Sequence, residues 1–315
     1  MGEKQKLVVL IGPTAVGKTK LSIMLAKALN AEIISGDSMQ IYRGMDIGTA
    51  KITKEEMEGV PHHLIDIKDP EESFSAAEFQ QLVREKIKEI SARGRMPMIV
   101  GGTGLYIQSV IYDYEFNEIE SRSHIRERLE KEAEEQGIDI LYNRLKEIDP
   151  VSAEKIHINN KRRVIRALEV YEITGKPFSE HIAAQEQVLL YDVALVGLTM
   201  DRDKLYARIN ERVDIMMEKG LLEEVTRLYE AGIRDTQSIQ AIGYKEIYEF
   251  LENRLTLEEA IEQLKQNSRR YAKRQLTWFR NKMPVQWFDL TDSTLSEKFD
   301  EIFTYIAGKL QQEAN

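Results

Sequence analysis

The run Gly12–Thr19, GPTAVGKT, restricts the fold of this chain more than any other feature of the sequence. It matches the pattern G-x-x-x-x-G-K-S/T, with the apolar run Lys6–Ile11 before it and an amphipathic stretch to about Leu29 after it. Glycines let backbone N–H groups turn inward around an anion, and the following helix points its positive end at the same place. The sequence therefore predicts a strand, a phosphate-binding loop and a helix, in that order.

Each residue type in this loop has a chemical use. Lys18 adds a mobile positive charge, and the Thr19 hydroxyl suits a magnesium ion as ligand. The loop by itself implies only a bound di- or triphosphate, and a glycine turn without function is the alternative. We expect all eight residues to contact a diphosphate: Gly12, Pro13, Thr14, Ala15, Val16, Gly17, Lys18 and Thr19.

Short apolar runs alternate with a helical pattern over the first hundred residues. Ala31–Ser35, His63–Ile67 and Met96–Val100 are predicted strands, and Ser75–Arg93 has the apolar spacing of a helix. Strand and helix repeated in this way imply a parallel sheet with right-handed crossovers.

The composition changes near Tyr114, where a charge-dense region without a strong strand pattern begins. Three helices are predicted there: Ser123–Gln136, Ile138–Ile148 and Lys161–Thr174. Tyr191–Leu198 and Val285–Leu290 then return as strands. We therefore predict an α/β protein whose P-loop NTPase-like parallel sheet core comprises residues 1–120 and 187–315, with a helical insertion domain at residues 121–186.

Loops that follow parallel strands meet at one edge of a sheet, so two further segments are expected near the phosphate loop. Asp37 follows the second strand and is a candidate general base, a water-mediated magnesium ligand or a helix N-cap. Gly101–Tyr106 follows the fourth strand, and Thr103 can orient a ligand there, although a tight turn is the alternative. Because the fourth strand ends in Gly-Gly and not in the Asp that ATPases and GTPases use for magnesium, nucleotide hydrolysis is not favoured. A small-molecule kinase stays possible.

Two further features allow a functional and an ordinary interpretation. His62 and His63 are neighbours in an extended segment, so their side chains point in opposite directions and a metal site is not expected. Arg212 lies on an amphipathic helix, where a solvated arginine is the ordinary interpretation.

Charge is unevenly distributed along the chain. The net charge is −9, yet Gln263–Phe288 contains seven basic and no acidic residues, on a helix predicted over Leu255–Lys282. Charge runs are usually solvated faces, but a tract without acidic partners favours a polyanion. A second basic cluster, Lys161–Arg163 with Arg166, opens a helix of the insertion. The two clusters together would suit a folded RNA.

The chain has no cysteine and no apolar run near the roughly 20 residues that span a bilayer. Its amino-terminal apolar run is too short for a signal peptide. We expect a monomeric cytoplasmic enzyme with no membrane partner.

The order of motifs resembles one known family nearly end to end, the tRNA dimethylallyltransferases, also called tRNA isopentenyltransferases. The matching motifs are GPTAVGKT, DSMQIY (Asp37–Tyr42), PHHLID (Pro61–Asp66), GGTGLY (Gly101–Tyr106), RRVIRALEV (Arg162–Val170), the Arg212 helix with GLLEEV, AIGYKE (Ala241–Glu246) and AKRQLTWFR (Ala272–Arg280). The bacterial members are the closer match, because larger eukaryotic members carry a zinc finger that a chain without cysteine cannot form.

The resemblance implies transfer of a dimethylallyl group from dimethylallyl diphosphate to N6 of adenosine-37, immediately 3′ of the tRNA anticodon. It implies that Asp37 is the general base, that Thr103 and Arg212 act beside it, and that Thr19 binds magnesium. It also implies contacts with the anticodon stem-loop from these residues: Asp37, Ser38, Met39, Gln40, Thr103, Arg126, Arg162, Arg163, Arg166, Gln240, Gly243, Lys245, Lys273, Arg274 and Arg280.

Two other functions compete with this one. A P-loop kinase for a nucleoside or metabolite would share the fold and consume ATP, but it offers no reason for the basic tract. A non-enzymatic RNA-binding protein with a vestigial loop is opposed by the intact Lys18 and Thr19.

Overall fold

The computed structural model of the chain describes residues 4–114, 123–183 and 188–310. These form two compact units, one made of residues 1–111 and 189–315 and the other of residues 112–188. The elements before residue 112 are β1 (Lys6–Ile11), α1 (Lys18–Ala28), β2 (Ala31–Gly36), β3 (His62–His63), α2 (Ala76–Ala92), β4 (Met96–Gly101) and α3 (Gly104–Ile111).

The second unit is helical. Its described elements are α4 (Ser123–Gln136), α5 (Ile138–Ile148), α6 (Pro150–Lys155), α7 (Lys161–Thr174) and α8 (Phe178–Ala183). The bounds of α4, α5 and α7 agree with the predicted helices, while α6 and α8 are too short to show a helical period in the sequence. Leu129, Leu141, Leu145, Val164 and Leu168 form the centre of its own apolar core.

The chain then completes the first unit. Its elements are β5 (Asp192–Thr199), α9 (Arg202–Glu218), α10 (Leu221–Glu230), a 3-10 turn (Ser238–Gln240), α11 (Tyr244–Leu251), α12 (Leu257–Lys282), β6 (Gln286–Asp289) and α13 (Leu295–Lys309). Helix α12 starts two residues after the predicted position because Thr256 caps it, with reciprocal hydrogen bonds to Glu259.

The six described strands form one sheet in the order β3-β2-β4-β1-β5-β6, and every pairing in it is parallel. Leu7–Ile11 of β1 is buried throughout, as a strand between two covered faces requires. Ile11 of β1 and Gly36 of β2 both pair with Gly101 at the end of β4. The three loops that follow these strands therefore start side by side, which confirms the predicted α/β fold and positions the site.

The predicted strand His63–Ile67 is wrong beyond its first residue. Strand β3 contains only His62 and His63, because Leu64 and Asp66 take left-handed backbone conformations with φ of 60° and 56°. The segment instead bonds to the loop after β2, where the N–H of Ile67 donates to the Ile41 carbonyl at 2.8 Å. Within this run only Leu64 is buried, while Ile65 and Ile67 are partly exposed.

Candidate active site

The phosphate loop wraps around the side chain of its own lysine. Its backbone turns through positive φ at Ala15 (65°) and Gly17 (108°), and Gly17 leads directly into α1. The Lys18 ammonium donates to the carbonyls of Gly12 at 2.9 Å and Pro13 at 2.7 Å. The ammonium is therefore held over the loop, where an anion bound by the loop amides would meet it.

The charged side chains of Lys18, Arg212 and Asp37 interact with one another at the phosphate loop. The pKa of Lys18 is lowered to about 7, because burial and the positive charge of Arg212 together outweigh the opposing negative charge of Asp37. Burial likewise lowers the pKa of Arg212, again opposed by Asp37. Two cations beside one carboxylate leave an excess positive charge, which is the electrostatic condition for binding a diphosphate.

Asp37 is not a helix N-cap, because none of the described residues 37–50 after β2 is helical. Its Oδ1 accepts the N–H of Met39 at 2.8 Å, which closes a local turn. The N–H of Ser38 donates to the Thr103 hydroxyl at 3.3 Å. The loops after β2 and β4 are thereby joined, and Thr103 lies beside Asp37 as expected.

Asp37 and Arg212 both line a cavity of about 330 Å³ in the first unit. Thr14 of the phosphate loop and Ser38 and Met39 also line it. The ordinary interpretation of Arg212 as a solvated surface residue is therefore wrong, because α9 directs this arginine to the cavity wall. The apolar part of the wall comes from α9, from the Gln240–Ile242 segment and from α12: Ile209, Val213, Met216, Ala241, Ile242 and Leu264.

Tyr271 is a residue of this cavity that the sequence did not single out. Its pKa is raised to about 12, because burial and the negative charge of Asp37 outweigh the opposing effect of Thr103, Arg274 and Gln275. The hydroxyl therefore stays protonated at neutral pH and can donate beside Asp37. In the sequence, Tyr271 shares one face of this helix with Leu257, Ile261, Leu264, Leu276 and Phe279, so periodicity alone predicts a core position for it.

Glu224, in the motif GLLEEV, is a second residue that sequence analysis missed. This buried carboxylate accepts the backbone N–H groups of Asp46 at 2.9 Å, Ile47 at 2.8 Å and Gly48 at 3.1 Å, and the Tyr244 hydroxyl at 2.6 Å. Gly48 lines the cavity, so Glu224 fixes part of the cavity wall. A Cβ at Gly48 would lie 2.5 Å from the Tyr244 ring, which explains the glycine.

The candidate RNA-contacting residues of the first unit differ in what they can contact. Gln240 and Lys245 line the cavity, whereas Gly243 is buried and its N–H donates to Glu246 at 2.7 Å. The amide of Gln40 accepts the Ser35 hydroxyl at 3.1 Å and donates to the Thr49 carbonyl at 3.2 Å. Gln40 therefore holds its loop together from inside.

Helix α12 presents Lys273, Arg274 and Arg280 as exposed side chains. The basic tract has no acidic residue within it, but two of its other cations pair with acidic residues outside it. Lys265 pairs with Asp214 of α9 at 2.6 Å, and Arg269 pairs with Glu262 at 3.1 Å. The basic surface is thus concentrated in the carboxyl-terminal half of the helix.

In the second unit, two of the four candidate arginines already have a protein partner. Arg126 and Arg166 bond to the fully buried carboxylate of Glu169 at 3.0 Å and 2.8 Å. Arg162 and Arg163 are exposed in the first turn of α7. The latter two can therefore reach a ligand without breaking a buried ion pair.

The donor set fits magnesium held mainly by a diphosphate. Thr19 is exposed in the first turn of α1, beside Lys18. Within residues 4–114, 123–183 and 188–310, no group of three or more His, Cys, Asp or Glu side chains could hold a metal by itself. His63 instead pairs with Glu32 at 2.7 Å and His62 with the Val60 carbonyl at 2.8 Å. Magnesium commonly takes one or two protein ligands plus phosphate oxygens and water, which one hydroxyl would satisfy.

In the part of the chain that the structure describes, none of the helices is both long enough and apolar enough to pass through a bilayer.

Solved structures share this fold along most of the chain. A tRNA isopentenylpyrophosphate transferase from Bacillus halodurans is 58% identical, with a TM-score of 0.76 and 98% of each chain covered. A eukaryotic dimethylallyltransferase described as acting on tRNA is 35% identical, with a TM-score of 0.80, over 93% of this chain and 75% of that one.

Sequence comparisons agree. A tRNA dimethylallyltransferase of Bacillus cereus (strain AH187) is 66% identical over 317 residues, covering 100% of this chain and 99% of that protein. One from Bacillus cytotoxicus is also 66% identical, over 99% and 98% of the two chains. The model of the IPP transferase family matches residues 40–282, and the chain therefore belongs to the IPP transferase family.

Proposed function

We propose that this protein transfers a dimethylallyl group from dimethylallyl diphosphate to N6 of adenosine-37 in tRNA. Relatives that are 66% identical along their whole length carry the name tRNA dimethylallyltransferase. The observation that carries the proposal is the cavity at the end of the parallel sheet, which is lined by Asp37 and Arg212, two residues whose charges act on Lys18 of the phosphate loop. A base and an anion site are adjacent there, as this reaction requires.

The reaction has two chemical requirements. The adenine amino group is a weak nucleophile, because its lone pair is delocalised into the ring. As N6 bonds to the allylic carbon, its proton passes to the Asp37 carboxylate. The allylic C–O bond breaks at the same carbon, and the diphosphate leaves with the electron pair.

The leaving diphosphate needs positive charge around it. Lys18 and Arg212 supply two cations, and the loop amides at the start of α1 supply aligned N–H groups. Thr19 would hold a magnesium ion, which when bound neutralises charge on the diphosphate. Tyr271 and Thr103 lie on the Asp37 side and would orient the adenine or the carboxylate.

An adenosine stacked in the anticodon loop cannot reach a cavity, so we infer that the base is extruded into it. Gln240, Lys245 and Arg274 line the cavity and are the nearest candidates to contact the flanking nucleotides. Lys273 and Arg280 would contact phosphates, as would Arg162 and Arg163 of the second unit. Arg126 and Arg166 already pair with Glu169, so we propose that they support the RNA-contacting residues of the second unit and do not contact phosphates themselves.

All residues that line the cavity belong to the first unit of one chain. We therefore propose a protein that acts as a monomer with tRNA as its partner, in the cytoplasm where tRNA is found. Sedimentation at micromolar concentration tests this, since a stable dimer would contradict it.

The decisive experiment supplies radiolabelled dimethylallyl diphosphate, magnesium and an unmodified tRNA with adenosine-37. We expect label in the RNA with wild type and a rate reduced about 10²–10⁴-fold in Asp37→Ala, the usual effect of losing a general base. Asp300→Ala, which changes an exposed carboxylate on α13, is the matched control and should behave like wild type.

A parallel reaction with γ-labelled ATP and a set of nucleosides tests the kinase alternative. Phosphate transfer to a small acceptor without label in RNA would refute the proposed function. The family membership disfavours that result, as does the absence of an Asp at the end of β4.

A further inference from the structure

One side chain joins two loops of the site, and it belongs to neither of them. Gln275 lies in the carboxyl-terminal half of α12 and is only 6% exposed. Its Oε1 accepts the N–H of Thr14 in the phosphate loop at 3.0 Å, and its Nε2 donates to the Gly102 carbonyl after β4 at 3.0 Å. Both polar ends of the amide are thereby satisfied by backbone groups from two different strand ends.

The fit around this amide is close on the Gly102 side. A Cβ at Gly102 would lie 2.1 Å from Nε2 of Gln275, whereas the next obstacle from another residue, the Gly12 carbonyl oxygen, is 3.5 Å away. One helical turn earlier lies Tyr271, and the side chains of Thr103 and Gln275 interact with its hydroxyl and act to lower its pKa. The hydrogen-bonded connection therefore runs from Thr14 through Gln275 to Gly102, with Tyr271 next to it.

The two clamped loops carry opposite halves of the proposed reaction. Thr14 belongs to the loop that would hold the diphosphate, and Gly102 precedes Thr103, whose hydroxyl accepts from Ser38 beside Asp37. A buried residue that only filled space would serve as well with an apolar side chain. An amide that donates to one loop and accepts from the other instead sets the distance between them.

We propose that Gln275 is a positioning residue that fixes the spacing between the diphosphate loop and the Thr103–Asp37 side of the cavity. This inference rests on the proposed function for its kinetic consequence, but its structural consequence can be measured without it. Helix α12 also carries the exposed Lys273 and Arg274. The helix proposed to bind RNA therefore also fixes the position of the phosphate loop through Gln275.

The test replaces Gln275 with methionine, which keeps the length of the side chain and removes both hydrogen bonds. Gln266→Met is the matched control, because Gln266 is an exposed glutamine on the same helix. Four quantities are measured: the melting temperature, the affinity for inorganic pyrophosphate with magnesium, the affinity for an anticodon stem-loop, and kcat and KM for dimethylallyl transfer.

For Gln275→Met we expect kcat to fall about 10- to 100-fold, as a misplacement of about 1 Å at a reacting centre does. Pyrophosphate should bind more weakly, while the stem-loop affinity stays within about twofold of wild type, since the basic residues of α12 are untouched. This division between kcat and RNA affinity is what a merely structural loss would not produce. Gln266→Met should match wild type throughout.

A second variant disturbs the Gln275 amide through its partner residue Gly102. Gly102→Ala puts a methyl group against Nε2 and should displace Gln275 while leaving α12 unchanged. We expect it to reproduce the kcat defect alone and to add little in the Gln275→Met background, since the effects of substitutions at residues in contact are not additive. It also decides the question if the methionine variant fails to fold.

The inference is overturned if a folded Gln275→Met protein keeps wild-type kcat and pyrophosphate affinity, or if the two substitutions are fully additive. Failure of the proposed function looks different. Wild type would then transfer no label to RNA, and the pyrophosphate affinities of Gln275→Met and Gln266→Met would still test the positioning role.

Discussion

Lys18, Arg212 and Asp37 show how individual residues acquire a role from their surroundings. A lysine and an arginine on the surface stay charged independently of each other, but here burial lowers the pKa of each and Asp37 opposes the shift. Burial therefore makes the charged forms of Lys18 and Arg212 less favourable than they would be in water. A bound diphosphate offsets this effect, because an anion favours the protonated form of Lys18.

Arg212 provides a test at this scale. We expect Arg212→Met to lower kcat/KM for dimethylallyl diphosphate by about 10²-fold, because removal of one preorganised charge at a leaving group usually costs that much. Steady-state kinetics at saturating tRNA measure it. Arg208→Met, four residues earlier and exposed on the same helix, should stay within about twofold of wild type. An equal loss in both variants would contradict a specific role for Arg212.

At the scale of elements, α12 has two functions along its length. Its amino-terminal half is tied to α9 through Lys265 and Asp214, and its carboxyl-terminal half presents exposed cations. The carboxyl-terminal half also contains Tyr271 and Gln275, which interact with the loops of the site. One continuous helix thus connects the proposed RNA surface to the loops of the proposed active site.

The exposed cations of α12 predict a salt dependence. Lys273→Ala, Arg274→Ala and Arg280→Ala should each weaken tRNA binding and reduce the slope of log affinity against log salt concentration by about one for each phosphate that the side chain neutralises. Fluorescence anisotropy at several potassium concentrations measures both. Lys88→Ala on α2, which removes an exposed lysine of the same charge, is the control. An unchanged slope in all three variants would place the RNA elsewhere.

At the scale of the whole molecule, the sheet contains a buried acid whose charge affects stability. Glu32 of β2 is 3% exposed and bonds to His63 of β3, to Arg93 at the end of α2 and to Arg95 before β4. Burial opposes its ionisation, but hydrogen bonds from Arg93, His63 and Arg95 outweigh burial and lower its pKa to about 2.

Because the folded pKa lies below the unfolded value of 4.5, the stabilisation by Glu32 is complete above that pH. It is lost as the pH falls through about 2, and it amounts to at most about 3 kcal/mol. We therefore expect Glu32→Gln to destabilise the protein at pH 7, with the difference from wild type shrinking between pH 4.5 and 2. Urea unfolding at several pH values measures it, with exposed Glu85→Gln as control. A difference that does not change with pH would refute this cause.

Local sequence patterns determined most of the architecture. The phosphate loop, the parallel strands and the three long helices of the second unit depend on residues close in sequence, so periodicity and glycine placement reveal them. The convergence of Asp37 and Gly102 on the phosphate loop followed from parallel pairing, since strand ends must then meet at one edge.

Only the tertiary structure decided which polar and charged side chains form hydrogen bonds and ion pairs within the protein. Gln275 and Thr14 are 261 positions apart, and Glu224 and Asp46 are 178 apart. No local pattern relates such residues, so Gln275 and Glu224 were passed over, and the acidic partners of Lys265 and Arg269 outside the basic tract were not predicted. The sequence by itself determined the motifs and the strand ends, because those depend on neighbours along the chain. Hydrogen-bond partners depend instead on which faces of distant elements meet, and only packing settles that.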